Sequence, residues 1–458
     1  MNKTNNLNLD ITEFFNTSYC NYGSYDNMRK IANIVDGNKI SSRKCLHIIL
    51  KDNIKEAFKV QNLCARVGER TNYIHGATSL YGVIVGMAQD FVGTNNIPLL
   101  KRKGNFGTRL IPEASADRYI FTCKEDYLDY IFKPEDNDLL IEQEFEGDLI
   151  EPKYYVPILP MLLVNGVLGL TTGFSQKILP RDPKELTKWI RCKLTGKKFT
   201  GKLLPYFKGF TGTIKQTDNN SFDIFGKYEK ISGNKIEITD LPCGPGTGGY
   251  SDLNSYLSVL DKLVDDKKIK DYNDYSEANN YKIIVTFYRN QGLNIDTCDI
   301  YKELKLVKSV TECYTSLNEN NKIVEYSSIE EILNDYYNIR FDFYEQRKKL
   351  ILQKLTDKIL QDVSKFTFIK GVIDETIILK NKSIENIAKQ LSGIKNIVKV
   401  NDSYDYLLNM SMSSITKEKY LKLKENLKEL KTEYDTMKKI SVEEMWENDL
   451  SLFEKNYK

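Results

Sequence analysis

The chain has 458 residues and a mass of 53.0 kDa, which exceeds one ordinary domain core and favours about two to four packing units. Hydrophobic residues make up 41% and charged residues 28%, which excludes a disordered or collagen-like chain. The net charge of +3, from 66 basic and 63 acidic residues, excludes a uniformly basic DNA-coating protein. Any contact with nucleic acid must therefore come from local patches.

Cysteine and histidine usage argues against a zinc centre. The eight cysteines have no C-x-x-C spacing and the chain has two histidines, so we expect no zinc site. No apolar run opens the sequence, and scattered cysteines are typical of reduced thiols, so we expect a cytoplasmic protein. The most apolar stretch, 154–170, contains Pro157, Pro160 and Asn165 and is short for a membrane-spanning helix, so we expect no membrane partner.

The first 150 residues mix helical and turn patterns. Apolar residues recur near helical spacing over 54–66 and again over 80–91, which predicts two helices. Gly104 and Gly107 predict a tight loop, and residues 118–122 predict a strand. Helices followed by a strand beside a basic loop are typical of a winged-helix (helix-turn-helix) module, which we assign to 29–150 after an N-terminal arm at 1–28.

From about residue 151 proline and glycine become frequent, and short β-like runs follow at 235–239 and 281–287. We interpret 151–325 as a mixed α/β domain. The remaining residues, 326–458, carry two long helical patterns. Ser328 and Glu331 fit a capping box at the start of the first.

The second helical pattern shows spacings of 3, 4, 3, 4 and 3, which is typical of a coiled-coil seam, at Tyr420, Leu423, Leu427, Leu430, Tyr434 and Met437. A helix of about 30 residues rises roughly 45 Å. Two such helices, paired antiparallel, predict a long coiled-coil arm with a small helical tip at 370–411. A helical bundle packed on the body is the alternative. The expected fold class is a multidomain α+β protein.

The stretch 101–118 is the most informative for chemistry. It carries two acidic residues, Glu113 and Asp117, and five basic residues, Lys101, Arg102, Lys103, Arg109 and Arg118. Such a loop attracts DNA phosphates. Tyr119 beside Arg118 could act as a nucleophile, because a phenolate can form a phosphodiester while arginine neutralises charge on the phosphoryl oxygens. With 29 tyrosines in the chain, a purely structural Arg–Tyr pair is the alternative.

Three further segments fit phosphate contacts. His75 precedes a helix expected to begin near Thr78 or Ser79, whose N-terminal amides suit a phosphate; a helix-capping or core histidine is the alternative. Arg43 and Lys44 precede an apolar run and could instead form a solvated face. The same two interpretations apply to an acid-free basic cluster formed by Lys188, Arg191, Lys193, Lys197, Lys198 and Lys202.

A glycine loop at 244–249 matches the G-x-G-x-x-G pattern of dinucleotide-binding folds. Pro242 and Pro245 stiffen this loop, and the surrounding sequence lacks a repeated βαβ series. A nucleotide-dependent oxidoreductase is therefore a weak alternative.

In their order along the chain, these segments resemble the breakage-reunion subunit of type IIA DNA topoisomerases. The resemblance is strongest to the medium subunit of bacteriophage T4-type topoisomerases, which corresponds to the gyrase A core. It covers roughly residues 20–450 and rests on segments 34–37, 42–44, 73–76, 86–96, 104–109, 114–119, 157–161, 209–212, 239–242 and 446–450. It implies that 151–325 is a tower domain and that the helical tip forms a C-gate.

The resemblance also implies roles for residues. Tyr119 would be the nucleophile, leaving a 5′-phosphotyrosyl link and a free 3′-hydroxyl, and Arg118, Arg43 and His75 would contact the scissile phosphate. Leu170 occupies the position of the isoleucine with which the family kinks DNA, and leucine is also an apolar wedge. With it, the expected DNA contacts are Lys44, Lys101, Arg102, Lys103, Asn105, Arg109, Lys188 and Arg191.

The resemblance further implies partners. We find no ATP-binding GHKL motif and no TOPRIM acidic set, and the sequence ends soon after the second helical pattern, without a β-pinwheel. We therefore expect double-stranded DNA, a homodimer through the C-gate, and a large partner subunit that uses ATP and holds Mg²⁺ in its TOPRIM domain. The expected activity is relaxation and decatenation, in the host cytoplasm if a phage encodes the chain. A non-catalytic DNA-bending protein of the same fold is the alternative.

Overall fold

The computed structural model describes residues 10–243, 249–289, 292–379, 382–400, 402–410 and 417–457. Contacts divide the chain into a first unit, 1–340 with 449–458, and a second unit, 341–448. The expected boundaries at 28/29, 150/151 and 325/326 all fall within the first unit and stay predictions. In the described part of the chain, every helix is too short or too polar to cross a membrane.

The helices are α1 (Ile11–Phe14), α2 (Cys20–Lys30), α3 (Ile40–Lys51), α4 (Val60–Arg70), α5 (Ala77–Ala88), α6 (Leu128–Ile131), α7 (Met161–Asn165), α8 (Pro183–Leu194), α9 (Leu253–Asp265), α10 (Ile300–Glu303), α11 (Ile329–Ile373), α12 (Ile384–Ser392), α13 (Asp405–Leu408), α14 (Lys417–Lys439) and α15 (Val442–Asn456). A π-helical turn, Phe15–Tyr19, joins α1 to α2, and Pro134–Leu139 forms a 3₁₀ helix.

The strands are β1 (Phe58–Lys59), β2 (Leu100–Lys103), β3 (Phe121–Lys124), β4 (Glu144–Phe145), β5 (Asp148–Leu149), β6 (Val167–Leu170), β7 (Ser175–Ile178), β8 (Thr213–Asp218), β9 (Ser221–Phe225), β10 (Lys227–Ser232), β11 (Lys235–Asp240), β12 (Asp271–Asp274), β13 (Ile283–Thr286), β14 (Val307–Thr311), β15 (Thr315–Leu317) and β16 (Ile323–Glu325). All the named strand pairs are antiparallel.

Near the start of the first unit, α3, α4 and α5 pack together beside the sheet β1-β3-β2. The apolar side chains of α4 recur at helical spacing, and Val60, Leu63 and Val67 are buried. The helix expected at 54–66 begins later, at Val60. The Val60 amide donates to the Ile120 carbonyl. The strand expected at 118–122 begins at Phe121, because the residues before it form a turn.

The later part of the first unit contains two larger sheets, β10-β11-β13-β12 and β14-β9-β8. The apolar faces of β11 and β13 pack against α9, with Ile236, Ile283 and Tyr256 fully buried. The strands predicted at 235–239 and 281–287 are thus confirmed, the second in a shorter form, 283–286. Strands β6 and β7 form a separate hairpin, and β6 ends at Leu170.

The second unit contains most of α11, with α12 to α14 and part of α15. Tyr344 stacks on Trp446 at 5.4 Å between ring centroids, and Phe366 stacks on Tyr420 at 4.6 Å. Later residues of α11 therefore contact earlier residues of the returning chain, and the two segments run antiparallel. A small hydrophobic core lies at the end of α11. It is formed by residues between 368 and 407, among them Phe368 and Leu391. Residues 380, 381, 401 and 411 of the predicted tip lie outside the described ranges.

Candidate functional site

The basic loop before Tyr119 is held in a fixed shape. Gly107 has φ +85°, and a Cβ there would lie 2.3 Å from the Pro112 carbonyl oxygen, so this position requires glycine. The side-chain amide of Gln89 donates to the carbonyls of Phe106 and Pro112, at 2.9 and 3.1 Å. The hydroxyl of Tyr81 donates to the Ser115 carbonyl at 2.9 Å. Because Tyr81 and Gln89 lie on or beside α5, this helix supports the loop.

Tyr119 lies in an exposed turn at the end of this loop. Its amide donates to the Ala116 carbonyl at 2.9 Å, and the next residue, Ile120, is fully buried. The Tyr119 side chain is 65% exposed. The Arg118 guanidinium lies 4.7 Å from the centroid of the Tyr119 ring. The phenol is therefore open to a ligand and sits beside a permanent positive charge.

His75 is neither a helix cap nor a core residue. Helix α5 begins at Ala77, slightly earlier than expected, and no side chain caps it. The half-buried imidazole of His75 has its Nε2 atom 2.7 Å from the hydroxyl of Tyr25. The Tyr73 ring meets it edge-on at 5.4 Å between centroids. Desolvation, and then the charge of Arg29, lower the pKa of His75, which favours a neutral imidazole near pH 7.

A cavity of about 260 Å³ lies beside His75. Arg29, Arg43 and Lys44 contribute to its lining together with Tyr25, whereas Arg118 and Tyr119 do not. The structure thus brings His75 and Arg43 to one cavity and places the tyrosine loop outside it.

The structure changes the interpretation of Arg43. Its guanidinium is buried and donates twice to the Asp36 carboxylate, at 2.6 and 3.1 Å, and once to the Asn38 carbonyl. These hydrogen bonds use Nε and Nη2 and leave the Nη1 donors for another acceptor. Arg43 is therefore a buried, paired charge in the cavity lining, and its expected phosphate contact stays a prediction.

Lys44 and Arg109, two of the expected DNA contacts, are buried and ion-paired in the structure. The buried Lys44 ammonium donates to the Thr71 carbonyl at 2.5 Å and to the Glu151 carboxylate at 2.9 Å. The buried Arg109 guanidinium is ion-paired with Asp240. Taking either charge from its partner would leave a buried carboxylate unpaired, which is costly. Both charges are therefore held by ion pairs inside the fold, and their expected contacts with DNA stay predictions.

The other basic candidates stay accessible. Lys103 is exposed, and Lys101 and Arg102 form ion pairs with Asp126 and Asp90 at 2.6 and 3.0 Å. Lys188 pairs with Glu185 at 2.5 Å and Arg191 with Glu454 at 2.9 Å. Exposed pairs of this kind contribute little free energy, so DNA phosphates could replace the carboxylates. The Asn105 side chain, by contrast, already bonds inside its loop, to the Gly107 amide at 2.9 Å.

Leu170 lies at the end of β6 with 66% of its side chain exposed. The buried carboxylate of Asp26 accepts hydrogen bonds from the Thr171 hydroxyl at 2.8 Å and the Thr172 amide at 3.1 Å. Asp26 also pairs with Lys30 at 2.8 Å. Helix α2 therefore anchors the turn that presents the exposed leucine.

The sequence reasoning missed Tyr25, Asp26 and Arg29. All three lie on α2, which spans the end of the segment assigned to the N-terminal arm, and all precede the 34–37 motif. The available signal was weak: 25–29 contains an aromatic residue, three polar or charged residues and one methionine, shortly before that motif. Only the fold shows that they reach His75 and the turn after Leu170.

Residues 29–451 match the protein family of the DNA gyrase/topoisomerase IV A subunits. The chain belongs to this family. DNA topoisomerase 2 of Saccharomyces cerevisiae is 32% identical over 98% of the chain and 35% of the relative's length. The mitochondrial DNA topoisomerase 2 of Dictyostelium discoideum is 32% identical over 96% of the chain and 34% of the relative.

The topoisomerase family assignment is also supported by structure. A solved structure of the Plasmodium falciparum topoisomerase II DNA-binding, cleavage and re-ligation domain superposes with a TM-score of 0.83 at 30% identity, over 97% of this chain and 64% of that one. The chain spans about a third of the length of the topoisomerase 2 relatives it matches. Because these relatives are eukaryotic enzymes, they do not show the expected closeness to the T4-type medium subunit.

The topoisomerase family assignment leaves no role for the oxidoreductase alternative. The strand that leads into the glycine loop, β11, pairs antiparallel with both neighbours, whereas a dinucleotide fold needs parallel strands. Residues 244–248 of that loop lie outside the described ranges. Among the described residues, no three His, Cys, Asp or Glu side chains gather where they could hold a metal ion.

Proposed function

We propose that the chain is the DNA-cleaving and rejoining part of a type II DNA topoisomerase, acting through a covalent bond between DNA and Tyr119. The observation that carries the proposal is the exposed Tyr119 phenol with the Arg118 guanidinium over its ring, on a loop fixed against α5. The family match, which spans this loop, supports the same role.

The chemistry is a transesterification. The Tyr119 oxygen attacks phosphorus and its proton is lost, while the bond from phosphorus to the 3′-oxygen breaks and that oxygen gains a proton. The products are a 5′-phosphotyrosyl link and a free 3′-hydroxyl. One phosphodiester replaces another, so the reverse reaction can reseal the strand without an energy source. Arg118 would neutralise the charge that develops on the phosphoryl oxygens.

His75 and the start of α5 would hold the phosphate. A neutral imidazole has one N–H donor, and the first amides of α5 point out of the helix and favour an anion. Arg29 and the buried Arg43 place positive charge around the same cavity. In this proposal the phosphate lies between the tyrosine turn and the His75 cavity.

The exposed side chains suggest how a DNA duplex is held. Lys101, Arg102, Lys103, Lys188 and Arg191 would contact backbone phosphates, with an affinity that falls as salt increases. Leu170 would enter between base pairs and kink the duplex, because an exposed apolar side chain on an anchored turn suits that role.

The domain interpretation follows the same proposal. Helices α3 to α5 with β1-β3-β2 would form the winged-helix module, the later sheets the tower, and the antiparallel helices of the second unit a coiled coil. Exposed apolar residues of the second unit, Ile373, Ile378 and Ile384, would meet a second copy at the C-gate. Mg²⁺ and ATP would be bound by the TOPRIM and ATPase domains of a partner subunit, as the resemblance to the family implies.

A denaturant-trapped cleavage assay tests the proposal. The chain is mixed with DNA, Mg²⁺ and an ATPase/TOPRIM partner, and covalent adducts are counted with wild type and Tyr119→Phe. We expect adducts only with wild type, and equal DNA binding by both proteins. DNA binding and bending by wild type without any adduct would instead support the non-catalytic architectural alternative.

A further inference from the structure

The hydroxyl of Tyr25 makes a hydrogen bond to the candidate phosphate-binding histidine. It lies 2.7 Å from Nε2 of His75, and the two ring centroids are 6.3 Å apart. A contact of this length is a well-formed hydrogen bond. The Tyr25 side chain is 46% exposed, so the bond lies at the surface and not in the core.

The direction of this bond follows from the chemistry of the two groups. A phenol is a stronger acid than a neutral imidazole, and an imidazole nitrogen is a stronger base than a phenol oxygen. Because the lowered pKa of His75 favours its neutral form, Nε2 accepts the phenol proton. The single ring N–H is then carried by Nδ1.

Helix α2 is fixed well enough to make Tyr25 a reliable partner. One residue on, Asp26 is buried and bonded to Thr171 and Thr172. At the end of the helix, the Lys30 carbonyl packs so closely that a Cβ at Gly169 would lie 2.6 Å from its oxygen. The helix that carries the phenol is therefore held at two points after Tyr25.

We propose, on the basis of the function proposed above, that Tyr25 is a positioning residue that sets the tautomer and orientation of His75. Its hydroxyl holds Nε2 as an acceptor, so that Nδ1–H is the donor for a phosphoryl oxygen of the DNA. Without the hydroxyl both neutral tautomers are populated, and part of the protein presents an acceptor lone pair to the anion.

Histidine NMR tests the hydrogen bond directly. The chain has two histidines, so ¹⁵N-labelled histidine gives two imidazole systems, His75 and His47. In wild type we expect His75 to show a protonated Nδ1 and an unprotonated Nε2. Tyr25→Phe should change that signal, whereas Tyr22→Phe, which removes another exposed hydroxyl from the same helix, should not.

His47 serves as an internal control, because its Nδ1 atom bonds to the Tyr155 hydroxyl at 2.8 Å. Its signal should stay unchanged in Tyr25→Phe and should respond to Tyr155→Phe. An unchanged His75 signal in Tyr25→Phe would overturn the proposed hydrogen bond.

The role in the reaction is tested by single-turnover DNA cleavage with the ATPase/TOPRIM partner present. At saturating DNA we expect Tyr25→Phe to cleave about five- to tenfold more slowly, the loss expected for one hydrogen bond, with unchanged DNA affinity. Tyr22→Phe should cleave like wild type. A normal cleavage rate in Tyr25→Phe, despite an altered His75 tautomer, would overturn the positioning role.

A failure of the proposed function can be distinguished from a failure of the Tyr25–His75 hydrogen bond. If wild type forms no covalent adduct, the proposed function and the catalytic part of this inference both fail. The NMR measurement on the chain alone still reports whether Tyr25 fixes the tautomer.

Discussion

Replacing Asp26 with alanine should release the turn that carries Leu170. The carboxylate accepts from the Thr171 hydroxyl at 2.8 Å, the Thr172 amide at 3.1 Å and the Thr172 hydroxyl at 3.2 Å, and pairs with Lys30 at 2.8 Å. A hydrogen bond to a charged group contributes about 1.5–3 kcal/mol, and an exposed ion pair about 0–1 kcal/mol. Because the three bonds share one carboxylate, we expect a combined loss of about 3 kcal/mol.

A loss of about 3 kcal/mol corresponds to roughly a hundredfold rise in the population of the opened turn. Amide hydrogen exchange should therefore speed up by about that factor in the segment 171–175, while α9 exchanges as in wild type. The bend angle of bound DNA, measured by energy transfer between the duplex ends, should decrease. Lys30→Ala is the control, since it removes only the exposed partner and should change the exchange rate less than about tenfold.

The stabilisation of the turn by the Asp26 carboxylate also depends on pH. Lys30 first, and then Thr171 and Thr172, lower the pKa of Asp26 to about 2 from an ordinary value of 3.8. A group with a lowered pKa stabilises the fold above its ordinary pKa and loses that effect as the pH falls through its folded value. Unchanged exchange in Asp26→Ala at neutral pH, or an equal change in Lys30→Ala, would refute the reasoning.

Three further changes follow from other contacts. Glu312→Ala leaves the buried Arg181 without its carboxylate and should lower the free energy of unfolding in urea by about 3–5 kcal/mol; a loss below about 1 kcal/mol would contradict this. Desolvation, and then nearby basic side chains, lower the pKa of His47 from 6.5 to about 4, so stability should fall as the pH drops between these values, and should do so less in His47→Gln. Leu170→Ala should leave the melting temperature nearly unchanged but reduce DNA bending; bending equal to that of wild type would contradict the role of Leu170 as a wedge between base pairs.

Local patterns predicted many of the elements. The alternating apolar residues of β11 and β13 and the long helical pattern after Ser328 depend only on neighbours in sequence. Even the start of α11 follows a local rule, because the Glu331 amide donates to the Ser328 hydroxyl at 3.2 Å. The other half of the expected capping box differs, since the Glu331 carboxylate accepts from the Ser327 amide.

The sequence did not predict the contacts between distant residues at the candidate site. Lys44 was an expected DNA contact, and its partner Glu151 lies 107 residues further along the chain. Arg109 is paired with Asp240, which lies 131 residues further along the chain. No local pattern distinguishes a buried pair from an exposed charge. For the same reason, the sequence did not predict the contact between Tyr25 and His75, which are 50 residues apart in sequence.

The central claim is that Tyr119 forms a covalent bond with DNA. The most direct measurement is mass spectrometry of protein–oligonucleotide conjugates, trapped with denaturant from a reaction that contains DNA, Mg²⁺ and the proposed ATPase/TOPRIM partner. We predict a single attachment site, the Tyr119 oxygen bonded to a 5′-phosphate, and none in Tyr119→Phe. Attachment at another side chain, or adducts that persist in Tyr119→Phe, would contradict the account.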